Sequence, residues 1–275
     1  MRKRLSGTEI AHFRRVVRAF YLKNKRDLPW RKASDPYHVL VSEIMLQQTQ
    51  VSRVCQKFPF FISTFPTIKS LAKAPLREVL SIWSGLGYNR RAKFLHELAK
   101  IVMNDYGGEI PREISALVEL PGLGRATAAS FLAFAFNQPT VFVETNIRSV
   151  FLFHFFKNKK NVSDKEILLL IEQTVDRKNP REWYSALMDY GTVLKERYGN
   201  PNIKSAHHVQ QKRFTGSRRQ LRGEIVRACL RRRPFSVKEL SLETKKPSSE
   251  VREVLKILEG EGFLKIRGGK IVFTG

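Results

Sequence analysis

The acidic residue Glu43 lies in the segment VLVSEIML, whose other residues are mostly Val, Leu, Ile and Met. Burial of such a side chain disfavours its charged form, so we expect the pKa of Glu43 to be raised. A carboxylic acid with a raised pKa can give a proton to a leaving group at neutral pH. A solvated or ion-paired glutamate on a helix is the alternative, and the position of Glu43 alone does not exclude it.

Two glycines, Gly122 and Gly124, stand in the segment LPGLGRATA. Glycines at this spacing permit a tight hairpin, and its outward backbone N–H groups can cradle a phosphate together with the N-terminus of the following helix. Such a cradle anchors a nucleic-acid strand without reading its sequence. An ordinary turn between two helices is the alternative, and the charge of the chain favours phosphate binding.

The chain is strongly basic. Its 275 residues include 50 Lys and Arg against 25 Asp and Glu, a formal net charge of +25. This charge indicates a polyanionic partner and favours nucleic acid over a general basicity of the proteome or association with ribosomes. The hydrophobic fraction of 42%, with 19 Phe, is enough for a packed core. The 2 cysteines exclude a disulfide framework or a four-cysteine metal site on one chain.

The hydrophobic periodicity predicts an all-α architecture between residues 36 and 200. Residues 8–24 predict one helix, and the stretch from Pro36 through QKF, residues 36–58, predicts a second. Further prolines are expected to precede or open more helices, namely Pro59, Pro66, Pro75 and Pro111. The chain has no signal-peptide core and no apolar run of membrane-spanning length, so we expect an intracellular protein without a membrane anchor.

The composition changes after Tyr190 and predicts two domains joined by a linker. Residues 1–198 form the helical core, 199–217 a basic linker, and 218–275 a separate module. In this module a helix is followed by two helices with a turn at Lys246–Pro247, and then by a hairpin that turns at Gly268-Gly269. This order is typical of a winged-helix DNA-binding module, with a helical cap or dimerisation module as the alternative.

The segments LPW, SEIMLQQTQV, GLGY and LPGLGRATA occur in this order and form a specific set. On these residues the chain resembles the helix-hairpin-helix DNA glycosylase superfamily, which contains endonuclease III and MutY, and across residues 24–195 it most resembles the MutY branch. The resemblance implies a two-lobed all-α core and a monofunctional DNA glycosylase of base excision repair. It also implies a cytoplasmic, nucleoid-associated monomer that acts on double-stranded DNA containing a mismatched or damaged base.

The implied reaction is hydrolysis of the N-glycosidic bond of a mismatched base, with adenine opposite guanine or 8-oxoguanine as the favoured substrate. The motif QQTQ favours this adenine branch, whereas NDYGGEIPR and RDLPWR also resemble a thymine glycosylase branch. The alternatives are therefore a thymine or uracil glycosylase on G·T or G·U mismatches, and a lesion-binding protein with little catalysis.

The resemblance assigns Glu43 as the acid that protonates a ring nitrogen of adenine. Glu144 stands where the family has Asp and would stabilise the oxocarbenium-like sugar, by the two-carboxylate logic of glycoside hydrolysis. Asn146 would orient the carboxylate or the attacking water. Because Glu144 is longer by one methylene, three possibilities remain: a shifted backbone that preserves its role, another substrate, or binding without cutting.

Ala126 stands where bifunctional relatives have a Lys, and alanine cannot form a Schiff base. Water is then the nucleophile and an abasic site the product. The resemblance places Trp30, Arg31 and Ala126 at the base pocket. We expect Gln47 and Gln48 to lie one helical turn beyond Glu43, and the resemblance makes Tyr88 a wedge beside the opposing base. The full set of expected DNA-contacting residues is Gln47, Gln48, Tyr88, Gly122, Gly124, Arg125 and Thr127. Four arginines are expected to face phosphate or pair with acids: Arg90, Arg91, Arg125 and Arg148.

Two expected family features are missing from the sequence. Most of the superfamily ends its core with four cysteines that hold a [4Fe–4S] cluster, but the segment after MDYG has no cysteine. We therefore expect no iron–sulfur cluster, no other cofactor and no metal. The residues from Arg218 also do not resemble the lesion-reading C-terminal domain of MutY, so the preference for 8-oxoguanine and the role of this module stay open.

Overall fold

A computed structural model describes residues 4–32, 35–210, 213–231 and 234–274. The described residues are mostly helical, which confirms the all-α prediction for the core. The chain divides into two compact units, each built from two segments: Met1–Glu43 with Ile110–Gln210, and Ile44–Glu109 with Gln211–Gly275. The two domains and the linker predicted above follow chain order instead and stay a prediction. Gln211 and Lys212 of the predicted linker lie outside the described residues. No helix in the described part of the chain has the length and apolar character needed to cross a membrane.

The helices and strands follow one another along the chain in this order: α1 (Gly7–Asn24), a 3₁₀ helix (Pro29–Lys32), α2 (Pro36–Leu46), α3 (Val51–Thr64), α4 (Ile68–Lys73), α5 (Leu76–Trp83), α6 (Arg90–Asp105), α7 (Ile114–Val118), α8 (Arg125–Phe136), α9 (Thr145–Phe155), α10 (Asp164–Thr174), α11 (Pro180–Tyr198), a second 3₁₀ helix (Pro201–Lys204), α12 (Arg218–Cys229), β1 (Phe235–Ser236), α13 (Val237–Thr244), α14 (Ser248–Gly260), β2 (Leu264–Arg267) and β3 (Lys270–Phe273).

The first unit has an aromatic core between α1, α9 and α11. The ring of Phe13 in α1 lies 5.3 Å from that of Phe151 in α9 and 5.9 Å from that of Trp183 in α11. Edge-on aromatic contacts of this kind add to the free energy gained by burying the rings. A capping box formed by Ser6 and Glu9 starts α1 at a defined residue. Helix α9, which begins directly after Glu144, is therefore held on this aromatic core.

The second unit combines α3 to α6 with the C-terminal module. The module has the order helix, strand, helix, helix, strand, strand, and its sheet has the antiparallel strand order β1-β3-β2. This confirms the winged-helix-like prediction. The sequence pattern missed β1, because two residues are too few to show an alternating pattern.

Arginine and lysine side chains attach the module to the rest of the second unit. The guanidinium of Arg77 in α5 donates to the carbonyl oxygens of Cys229 at 3.0 Å and Leu230 at 2.7 Å. These carbonyls lie at the C-terminus of α12, where they have no partner within the helix. Lys93 of α6 donates to the carbonyl of Glu261, which follows α14. The module therefore packs on the same unit that contains Tyr88.

Two details of the helix prediction were wrong. The single helix expected over residues 36–58 is broken after Leu46, and α3 begins at Val51. Gln48 has a φ of 54°, which an α-helix cannot accommodate. The guanidinium of the buried Arg91 donates to the last carbonyl oxygens of α2, that of Ile44 at 2.8 Å and that of Met45 at 2.7 Å. These bonds stabilise the end of the helix at this point. Pro59 lies inside α3 rather than before a helix, at the loss of one helical hydrogen bond.

Candidate active site

The carboxyl group of Glu43 is buried near the end of α2, with 9% of the residue exposed. Its Oε2 accepts a hydrogen bond from Oγ of Ser130, a fully buried residue of α8. Burial has the largest influence on the pKa of Glu43, the nearby carboxylate of Glu144 acts in the same direction, and the Ser130 hydrogen bond opposes both. Together they raise the pKa to about 8. Glu43 therefore carries a proton at neutral pH, which confirms the raised pKa predicted from its apolar neighbours.

Glu144 lies at the N-cap position of α9, and its side chain makes no capping hydrogen bond. Burial raises the pKa of Glu144, whereas the guanidinium of Arg148, one turn further along α9, lowers it. Arg148 in turn donates to both carboxylate oxygens of Asp164, each at 2.7 Å. The net effect is a raised pKa for Glu144, because burial outweighs the influence of Arg148. Of the two interacting acids, only Glu144 has a guanidinium and a helix N-terminus near it, and both favour the ionised form.

Asn146 lies in the first turn of α9, where the backbone is packed tightly against α11. A Cβ atom added to Gly191 of α11 would lie 2.2 Å from the carbonyl oxygen of Asn146, so only glycine fits there. The side-chain Oδ1 of Asn146 is buried and accepts no hydrogen bond from the described residues. A buried amide oxygen normally has a donor, so this atom can accept a hydrogen from a substrate or a water.

The glycine hairpin lies between α7 and α8, as the sequence predicted. Gly122 has a φ of 83°, a left-handed conformation that favours glycine, and Gly124 caps the N-terminus of α8. Arg125 and Ala126 follow on the exposed first turn of α8, and Thr127 is half-buried. The hairpin, α8 and the carboxyl group held by Ser130 therefore belong to one unit. Phosphate binding by the hairpin stays a prediction.

This helix-hairpin-helix with a buried acid beside it has counterparts among known proteins. A family model described as HhH-GPD superfamily base excision DNA repair protein matches residues 41–176. A solved structure of a thermostable thymine-DNA glycosylase is 30% identical, with a TM-score of 0.62, and the match covers 68% of this chain and 87% of that one. The chain belongs to the HhH-GPD superfamily.

Curated relatives of this HhH-GPD protein are named adenine DNA glycosylase. The one from Buchnera aphidicola subsp. Baizongia pistaciae is 32% identical over 191 residues, which covers 68% of this chain and 54% of the relative. The one from Mycobacterium tuberculosis is 44% identical over 133 residues, which covers 48% of this chain and 44% of the relative. The chain thus spans about half the length of the curated relatives it matches.

Trp30 and Arg31 of this HhH-GPD chain lie in the 3₁₀ helix after α1, beside a buried ion cluster. Asp189 of α11 is fully buried and accepts two 2.8 Å hydrogen bonds from the Arg31 guanidinium and one of 2.5 Å from Nε of Arg26. Burial opposes the ionisation of Asp189, but the hydrogen bonds and charge of Arg31 and Arg26 hold its pKa below the usual range. Arg31 is therefore bound to Asp189 in this structure, and its part in a base pocket stays a prediction, as does that of the buried Trp30.

The predicted wedge Tyr88 and the two glutamines predicted to contact DNA lie in two loops of the second unit. Gln47 and Gln48 lie in the turn after α2, so the expectation that they follow Glu43 by one helical turn was wrong. Tyr88 lies in the loop before α6, is 39% exposed and has a φ of 49°. The surface-loop position predicted for Tyr88 is confirmed, whereas its contact with DNA stays a prediction.

The four arginines have different partners. Arg148 pairs with Asp164 as described, and Arg90 lies 3.8 Å from a carboxylate oxygen of Glu261. Arg91 was expected to face phosphate or pair with an acid, but it is buried and donates to backbone carbonyls, including that of Gln47. Arg125 is exposed beside the hairpin.

Sequence reasoning did not single out Ser130, Asp189 or Gly191. A signal existed for the first, because Ser130 is a polar residue within AASFLAFAF, a segment of α8 that is apolar on all sides. A polar side chain in such a helix needs a hydrogen-bond partner. Asp189 in YSALMDYG gives a similar signal, but nothing in the sequence reveals the close approach at Gly191.

The cysteines of this HhH-GPD chain do not suit an iron–sulfur cluster. The 2 cysteines of the sequence, Cys55 and Cys229, are both free thiols. A [4Fe–4S] cluster needs four thiolates, so this chain cannot supply its ligands. Within the described ranges no group of three or more His, Cys, Asp or Glu side chains could hold a metal ion. The expectation that the protein needs no cofactor stays a prediction.

Proposed function

We propose that the protein is a monofunctional adenine DNA glycosylase that hydrolyses the N-glycosidic bond of adenine mispaired with guanine or 8-oxoguanine. The observation that carries this proposal is the buried Glu43, whose pKa of about 8 keeps it protonated at neutral pH, beside the second acid Glu144. The names of the curated relatives support adenine as the base. We further propose that it acts as a monomer on double-stranded DNA in the cytoplasm, at the nucleoid.

In the proposed reaction Glu43 gives its proton to a ring nitrogen of the flipped adenine as the bond between C1′ and the base breaks. The bonding electron pair leaves with the base, and the positive charge that develops on the sugar is stabilised by the carboxylate of Glu144. Water then adds to C1′ and loses a proton, which restores the proton on Glu43. The net reaction adds hydrogen to the base and hydroxyl to the sugar, and Oδ1 of Asn146 orients the water by accepting one of its hydrogens.

The proposed enzyme cuts only the base–sugar bond. The side chain at position 126, on the exposed first turn of α8, is a methyl group and cannot attack the sugar as an amine. Borohydride should therefore trap no covalent protein–DNA adduct. A high yield of such an adduct would contradict the monofunctional reaction while leaving base excision intact.

One assay tests the substrate. The protein is incubated with duplexes that carry A·8-oxoG, A·G, T·G or U·G, and the abasic sites are then cleaved with alkali. We expect cutting of the adenine strand, and a loss of about 100-fold or more for Glu43→Gln, since a general acid contributes at least that much. If only the thymine strand is cut, the substrate is thymine and not adenine. The 30% identity to a thymine-DNA glycosylase makes this the second candidate. Tight binding without cutting would instead indicate a lesion-binding protein.

A further inference from the structure

A pocket of about 270 Å³ lies entirely within the second unit, and the C-terminal module contributes to it. Its lining consists of two amides, one aromatic ring and three guanidiniums: Gln47, Gln48, Tyr88, Arg90, Arg91 and Arg222. Five of these residues come from the loops that follow α2 and α5, and from the start of α6. The sixth, Arg222, lies on α12 of the winged-helix-like module. Nothing in the sequence assigned a role to this arginine.

The side chain of Arg222 is held in place from its own module. It donates to Oε1 of Glu261 at 2.9 Å and to the second carboxylate oxygen of Glu261, and its guanidinium lies 5.6 Å from the ring centre of Phe263. These two bonds use two of the five N–H donors that a guanidinium carries. One turn earlier on α12, Arg219 donates to the hydroxyl of Tyr88 at 3.0 Å. The module thus fixes a guanidinium in the pocket and also orients the aromatic residue beside it.

The charges and donors of the pocket indicate the ligand. The carboxylate of Glu261 offsets one of the nearby positive charges. A guanidinium nitrogen of Arg90 lies 3.8 Å from a carboxylate oxygen of Glu261, and the Arg90 side chain is 56% exposed. The guanidinium of Arg91 donates hydrogen bonds to backbone carbonyls. What the pocket offers is a net positive charge, amide groups and an aromatic ring. A guanine-type purine matches all three, because it presents the O6 and N7 acceptors on one edge and a π face for stacking. A phosphate would match the charge but would make no use of the ring.

We propose that Arg222 binds the edge of the guanine-type purine that stands opposite the excised base, and so determines which mispair the protein selects. This inference rests on the proposed function, since it names the partner base of the same reaction. It gives the C-terminal module a part in recognition, because α12 supplies the guanidinium that lines the pocket.

The test uses binding alone, so that it does not depend on excision. The full chain is titrated with duplexes that carry a tetrahydrofuran abasic analogue opposite G, 8-oxoG, C or T. We expect tighter binding opposite G and 8-oxoG than opposite C and T. Arg222→Gln and Arg222→Lys should reduce this preference roughly tenfold, the value of one bidentate arginine–guanine contact. The lysine variant keeps the charge, which guards against a general loss of affinity or folding. The matched control is Arg227→Gln, an exposed arginine on the same helix, which should keep the preference.

Three results would overturn the inference. The first is equal binding of all four duplexes by the wild type, and the second is the full preference retained in both Arg222 variants. The third is a uniform loss of affinity for every opposing base in Arg222→Gln, with a smaller salt dependence, which would identify a phosphate contact. Each of these results is independent of the excision assay, so a failure of the proposed function is read separately.

Discussion

Replacing Glu43 by Gln should change how the stability of the protein depends on pH. In the unfolded chain this carboxyl titrates near 4.5, but burial and the nearby Glu144 raise its pKa to about 8 in the folded protein. Between these values the unfolded chain loses the proton while the folded protein keeps it, so the wild type loses stability as pH rises. At about 1.4 kcal/mol per tenfold change, this group lowers the free energy of unfolding by roughly 3 to 4 kcal/mol between about pH 5 and pH 8. The amide of the Glu43→Gln variant does not titrate, and this loss should disappear.

The assay is urea unfolding of both proteins at several pH values between about 5 and 8, at one ionic strength. The stability of Glu43→Gln relative to the wild type should increase steadily with pH. The exposed Glu119 on the same unit provides the control, and Glu119→Gln should follow the wild type. Parallel curves for Glu43→Gln and the wild type would refute the reasoning, because they would mean that Glu43 is ionised throughout and is not the proton donor.

Two further predictions concern the surroundings of the acids. In Ser130→Ala the pKa of Glu43 should rise further, because the lost hydrogen bond stabilised the ionised form. The alkaline limit of the excision rate should then move up by about one pH unit, the value of one hydrogen bond to a charged group. Ser42→Ala, which loses only a local bond to a backbone carbonyl, should leave the pH profile unchanged, and an unshifted profile in Ser130→Ala would contradict this role. Gly191→Ala should lower the free energy of unfolding by about 1 to 3 kcal/mol, because its Cβ overlaps the backbone of α9. Gly223→Ala, with open space around the added carbon, should instead stabilise by roughly 0.5 to 1 kcal/mol, and equal effects in urea unfolding would refute the close approach at Gly191.

The all-α character of the core and the burial of Glu43 could be predicted from the sequence, because both depend on local patterns. The apolar neighbours of Glu43 predicted its raised pKa, and the glycines of LPGLGRATA predicted the hairpin. The order of elements after Arg218 predicted the winged-helix-like module. The acid and the hairpin are each predicted from about ten consecutive residues, and the module from a series of such local patterns along residues 218–275.

The features that the sequence could not predict depend on contacts between distant residues. Where the helix expected over residues 36–58 is broken, Arg91 binds the carbonyls at the end of α2, some 45 positions away. Ser130 reaches Glu43 across 87 positions, and Arg222 enters the pocket around Tyr88 from a different module. Such contacts follow from the tertiary packing, which overrides local preferences where a buried charged group needs partners.

The lengthened acid at position 144 has a physical setting that suits an anion. A longer side chain could turn back and cap α9, which would consume the carboxylate, but Glu144 makes no capping hydrogen bond. Burial raises the pKa of Glu144, and its counter-charge Arg148, which is itself held by Asp164, opposes this rise. Gly191 allows α11 to fix the backbone of the same turn. A fixed backbone, an uncommitted carboxylate and a neighbouring protonated acid are what stabilisation of a positively charged sugar requires. These observations support the proposed catalytic role of Glu144 over a binding protein, for which two buried interacting acids would be a cost in stability without a function.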